Sequence, residues 1–143
     1  MRISAKAEYA CIAMLELACQ HKSAQPVTVK AIAEAHGIPQ RYLVQILLQL
    51  KGAGLVHSVR GAAGGYQLAV PPDKLSLAEV MEVIDGPLPS RHEPAGSPRS
   101  PAVAALCRVW NQVLDKERHI LHQVTFADLA ESVRRNTADM YYI

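Results

Sequence analysis

Apolar residues recur at helical spacing along most of the chain, and one short stretch between them switches to strand-like runs. The spacing predicts a first helix from residue 5 to 19 or 20, capped by Ser4, with Cys11, Met14, Leu15, Ala18 and Cys19 inside. Thr28 suits the N-cap of a second, short helix over residues 29–36, with Ile32 and Ala33 inward and Gly37 as its stop. Pro39 fits the first turn of a third helix, running from residue 39 to 51 or 52. Leu43, Ile46, Leu47 and Leu50 recur there every three or four residues and define a buried face. Gln40, Arg41, Val44, Gln45 and Lys51 occupy the opposite face.

Residues 55–59 and 66–70 read as two strands. The connection between them, residues 60–65, holds Gly61, Gly64 and Gly65 and permits backbone shapes closed to other residues. Two short helices joined at a glycine form a helix–turn–helix pattern, whose second helix normally enters the major groove. Followed by a hairpin with Arg60 at its tip, the pattern predicts a winged-helix DNA reader. Each part alone has a plainer account, as an αα-hairpin or a simple turn. The glycine stretch is not a phosphate loop, because no Gly-Lys-Ser/Thr follows it and no strand–loop–helix context surrounds it.

Beyond the hairpin, Pro71 and Pro72 break the chain, and Ser76 caps a short helix over residues 77–84 that Gly86 and Pro87 end. Residues 87–101 are proline-rich and read as loop. A long helix over residues 102–123 carries an apolar stripe that includes Val103, Leu106, Trp110, Val113, Leu114 and Leu121. A small domain has little core for so long a stripe, which favours pairing with a second copy. Packing on its own domain is the alternative. Thr125 caps a last, short helix from residue 126 to 133 or beyond. The fold class is therefore mainly α with a small β-hairpin. The chain divides into a winged helix–turn–helix unit (1–86), a sensor-type loop (87–101), and a dimerisation helix with a short C-terminal helix (102–143).

Charge sharpens this picture. The net charge of the whole chain is only +2. Residues 1–70 nevertheless hold seven Lys/Arg against three Asp/Glu, while residues 71–143 hold eight against ten. The basic half is the half with the predicted DNA-reading elements, as a phosphate-facing surface requires. An aromatic share of 5% argues against stacking on single-stranded nucleic acid. Glu8 and Glu16 interrupt the apolar N-terminal stretch and argue against a membrane span or signal peptide. Three cysteines, an odd number, suit a reducing cytoplasm. No nucleophile–base pair or metal-ligand motif suggests an enzyme.

The chain resembles, over nearly its whole length, the bacterial winged-helix regulators that include the iron–sulfur cluster regulator IscR, the nitric-oxide sensor NsrR and the cysteine-metabolism repressor CymR. The resemblance rests on the opening Met1-Arg2-Ile3-Ser4-Ala5-Lys6, on Ile38-Pro39-Gln40-Arg41-Tyr42-Leu43 and on Gly54-Leu55-Val56. It continues through Ser58-Val59-Arg60-Gly61 with Gly64-Gly65-Tyr66, Ile84-Asp85-Gly86-Pro87, and Trp110 with Val124-Thr125-Phe126-Ala127-Asp128-Leu129. It implies a homodimeric repressor or activator on double-stranded, palindromic DNA. The expected DNA-contacting residues are Thr28, Gln40, Arg41, Tyr42, Val44, Gln45, Lys51, Ser58, Arg60, Gly61, Gly64, Gly65 and Tyr66.

Two positions depart from the pattern of these regulators. Val44 stands where they often carry Glu, so it can touch a thymine methyl but cannot accept from cytosine. Cluster-binding members carry three cysteines around the loop, and here only Cys107 is near it. The expectation is therefore no cofactor, with control by a partner protein or metabolite. The alternative is an iron–sulfur cluster on unconventional ligands, drawn from Glu8, His92 and Cys107. Those three residues also have plain roles, as a surface charge, a solvated loop residue and a member of the apolar stripe. His119 and His122 lie one turn apart but lack a third zinc ligand nearby.

Overall fold

A computed structural model describes residues 1–142. The helices are α1 (Ala5–Cys19), α2 (Val29–His36), α3 (Gln40–Gly52), α4 (Leu77–Asp85), α5 (Pro101–Gln123) and α6 (Phe126–Tyr142). Strands β1 (Val56–Val59) and β2 (Gly65–Leu68) form an antiparallel hairpin between α3 and α4. Val56 faces Leu68 and Val59 faces Gly65 across the ladder. The architecture is the predicted one, mainly helical with a single wing.

Helix starts follow from side-chain capping. Hydroxyl oxygens of Ser4, Thr28, Ser76 and Ser100 accept from backbone N–H groups three residues on, at 3.0, 3.0, 3.2 and 3.4 Å. Thr125 and Asp128 cap each other reciprocally at 3.1 Å. Pro39 stands at the N-cap of α3 instead of inside its first turn, and α5 begins with Pro101 at its first position.

The core is built around α1. Ala10, Ala13, Met14 and Leu17 of α1 are buried with Ile32, Leu43, Ile46, Leu47, Leu50, Leu75, Val80 and Phe126. Cys11, Leu15 and Cys19, expected inside, are only half-buried, and the alanines take the centre. Their small side chains let α4 and α6 lie close against α1. Burial, reinforced by the negative charge of Asp85, pushes the Cys11 thiol up to about 11, so it is no nucleophile near neutral pH.

The C-terminal helix is longer than expected. It spans 17 residues and returns to α1, placing Phe126 and Ala130 in the same core as the winged unit. Its outer part is polar and is supported by Glu131, which pairs with Arg134 at 2.6 Å and Arg135 at 3.5 Å. Leu77 N–H donates to the Val124 carbonyl at 3.0 Å, and Phe126 N–H donates to the Leu75 carbonyl at 2.9 Å. This two-way exchange ties the start of α4 to the turn between α5 and α6. Phe126 has no exposed surface at all. Phe126→Ala is expected to cost about 3–5 kcal/mol, the range for removing a fully buried aromatic side chain. Urea denaturation measures this, and a loss below about 1 kcal/mol would contradict the core assignment.

Candidate nucleic-acid interface

The third helix presents two faces. Leu43, Ile46, Leu47 and Leu50 are buried, whereas Gln40, Arg41, Tyr42, Val44, Gln45 and Lys51 are exposed. Leu48 is 54% exposed, one turn beyond Val44, and extends the apolar strip on the open face. It had gone unremarked in the sequence, although its position off the 43/46/47/50 stripe already places it outside the core. Tyr42 leans on Tyr9 of α1, ring edge to face at 5.8 Å, which limits its freedom.

The wing is fastened at both ends. Lys51 Nζ donates to Ser58 Oγ at 2.9 Å, joining the end of α3 to β1. Val27 and Tyr66 exchange backbone hydrogen bonds at 2.9 and 2.8 Å, so the residue before the α2 cap acts as a third, one-residue strand. Tyr66 is half-buried against the core, a different setting from the open surface of its neighbours. Thr28 Oγ1 is engaged in capping α2. Arg60, Gly61, Ala62 and Ala63 are exposed at the tip.

Gly64 and Gly65 have a packing reason for being glycine. A Cβ on Gly65 would stand 2.5 Å from the Val27 carbonyl oxygen, and its φ of +149° disfavours other residues. A Cβ on Gly64 would run into the Val59 carbonyl oxygen. Both glycines shape the wing whatever else they touch.

A hydrogen bond couples α3 to the helix behind it. Gln49 Nε2 donates to the Val83 carbonyl of α4 at 2.9 Å. The residue four positions on from Val83 is Pro87, which has no N–H to offer that carbonyl. The proline that ends α4 therefore leaves free the acceptor that holds the third helix.

The sensor candidates are partly assembled. His92 is docked: its N–H donates to Asn111 Oδ1 at 2.7 Å, and its ring packs edge to face on Trp110 at 5.0 Å. His92 and Cys107 line one open hollow between the loop and α5. Glu8 is exposed on α1 and does not line it. Among the described residues no three His, Cys, Asp or Glu side chains are grouped to hold a metal ion. His122 faces Glu82 at 3.8 Å, and His119 is exposed. Cys107 is the one cysteine that lines this hollow, and His92 is the one imidazole.

Residues 3–132 match the profile of the Rrf2 family, described as iron-dependent transcriptional regulators. The chain belongs to the Rrf2 family. It is 34% identical to the transcriptional regulator CymR of Bacillus subtilis over an aligned span of 149 positions that covers 100% of each chain. It is 31% identical to IscR of Cereibacter sphaeroides over 140 residues, covering 94% of this chain and 90% of that one. The solved structure of CymR, the global cysteine regulator of B. subtilis, superposes with a TM-score of 0.83 at 34% identity, covering 92% of this chain and 98% of CymR. This Rrf2 chain is a transcription regulator of the DNA-binding winged-helix kind and not an enzyme. No helix among the described residues is long and apolar enough to cross a membrane.

Gly65→Ala is expected to destabilise the fold by about 1–3 kcal/mol, because the backbone of Val27 cannot yield as a flexible side chain would. A urea midpoint equal to that of the unmodified protein would remove the steric argument.

Proposed function

We propose that the protein is a homodimeric, sequence-specific repressor. In this reading α3 lies in the major groove of a palindromic operator and Arg60 reaches the minor groove or its phosphates. The observation that carries it is the open face of α3 beside a wing anchored at Val27 and Lys51 in an Rrf2 chain. Val44 and Leu48 would present apolar surface to base edges, which suits thymine methyl groups. Arg41 and Gln45 would supply the polar contacts.

The dimer follows from α5. Leu106, Val109, Trp110, Val113 and Ile120 are each 46–58% exposed, and of the whole helix only Leu121 is buried. From Leu106 to Val113 they recur every three or four residues, and Ile120 follows two turns further along the same face, so a second α5 would cover this seam. Val103 and Leu114 are half-buried beside it. Two copies related by a two-fold axis would then meet two half-sites. For the sensing step, a hollow with one cysteine and one imidazole supports control by a small molecule or a partner protein without a resident cluster.

Arg60→Ala should weaken binding to the DNA upstream of the protein's own gene by about 1–3 kcal/mol, with the dimer intact. Gel-shift titration at several salt concentrations is the check; unchanged affinity, or an affinity indifferent to salt, would refute the wing assignment. Val113→Asp should weaken self-association by about 3 kcal/mol or more, since it buries a charge without a partner. Sedimentation equilibrium should therefore show a dimer that becomes monomeric in the variant. Anaerobically purified dimer should be colourless and free of iron and sulfide; stoichiometric amounts of both would overturn the cofactor-free reading.

A further inference from the structure

A second hollow, of about 490 Å³, lies where the N-terminus, α4, the 86–92 segment and α5 meet. Its size falls in the range of small-molecule sites. Met81, Leu88, Trp110, Leu114 and Leu121 supply apolar walls, and a few charged groups converge at the rim. Asp85 is already engaged, because Ser4 Oγ donates to its Oδ2 at 2.7 Å. Glu117 faces the Met1 nitrogen at 3.5 Å.

Two arginines also line the hollow, exposed Arg2 from the N-terminal segment and half-buried Arg118 from α5, and they have no such partners. Among the described residues no carboxylate lies within ion-pair distance of Arg2 or Arg118. The Nε of Arg118 is buried without any hydrogen-bond partner. A guanidinium stays charged at all accessible pH and donates through a fixed fork, so a buried, unengaged Nε–H carries a desolvation cost. A carboxylate is the group whose two oxygens match that fork.

We propose that this hollow binds a small amphipathic carboxylate, with its acid group on Arg118 and Arg2 and its apolar body against Trp110 and Leu88. The proposal rests on the DNA-reading function above and names the class of molecule that controls it. Met81 and Asp85 of α4 line the hollow, and α4 holds the third helix through the bond from Gln49 to Val83. An occupant that shifts α4 therefore moves the element that would read DNA. Trp110 and Val113 belong to both the hollow and the exposed seam of α5, so the ligand would sit beside the dimer contact.

Trp110 is the single tryptophan, and its emission reports directly on the site. The full chain, at a concentration where it is dimeric, is titrated with 4-phenylbutanoate and 4-methylpentanoate, each against its own primary amide. At least one acid is expected to change the emission saturably, with its amide about tenfold weaker or worse, as loss of a charge-assisted hydrogen bond implies. Arg118→Gln should erase the difference between acid and amide. Should that variant not fold by circular dichroism, Arg2→Gln provides the same comparison. No saturable change with either acid, equal binding of acid and amide, or an unaltered preference in the variant would each overturn the site. Gel shifts with the upstream DNA, with and without the acid that binds, then test the coupling, and unchanged DNA affinity overturns it. The fluorescence titration contains no DNA, so its failure and a failure of the DNA-reading function are seen separately.

Discussion

The two backbone hydrogen bonds between residues 75–77 and 124–126 hold the molecule together as one unit. They join the N-cap of α4 to the N-cap of α6, and Ser76 is buried at that junction. Without them α5 would be a helix projecting from a small winged domain on a proline-rich tether. With them, α5 has a fixed direction, and Phe126 is delivered into the core beneath α1. Backbone groups buried at such a junction must find partners, so the connection cannot slide by a residue without leaving several unsatisfied.

That constraint gives the long helix its two roles. Its inner side rests on α4 through Leu121 and on the loop through Asn111 and Trp110. Its outer side is left open by the described residues, and half-exposed Leu106, Val109, Val113 and Ile120 lie along it. In the proposed dimer the separation of the two reading surfaces is thus set by a rigid strut and not by the flexible-looking loop. The loop itself is pinned by its contacts to α5, although its composition suggests a simple linker.

Much of this was legible in the residues because the signals were local. Thr28 and Gly37 bound α2 where capping chemistry puts them, and the glycine connection placed the hairpin to within two residues. The likeness to CymR and IscR, carried by the motifs from Met1 to Leu129, is matched by the comparisons. What failed to show was what depends on tertiary contact. Ala7, Ala10 and Ala13 line the most buried face of α1, yet alanine gives a weak hydrophobic signal beside Leu15 or Cys19. The end of α6 is exposed and mostly polar from residue 134 to 139, so periodicity could not extend it, while the Glu131 ion pairs support it. The setting of His92 against Trp110 joins residues 18 positions apart across a loop whose path only folding defines.

The wing carries a consequence for binding thermodynamics. Its tip is formed by glycines whose missing side chains let the backbone pack on itself at Val59 and on Val27, and the ladder below is closed by backbone bonds on both sides. Most of the freedom of that segment is therefore given up when the chain folds, not when it meets a partner. In the proposed complex Arg60 would reach DNA on a stiff support, and its contact would carry little ordering penalty. Association through such a wing should owe more to counterion release and less to induced fit than a loose glycine loop would suggest.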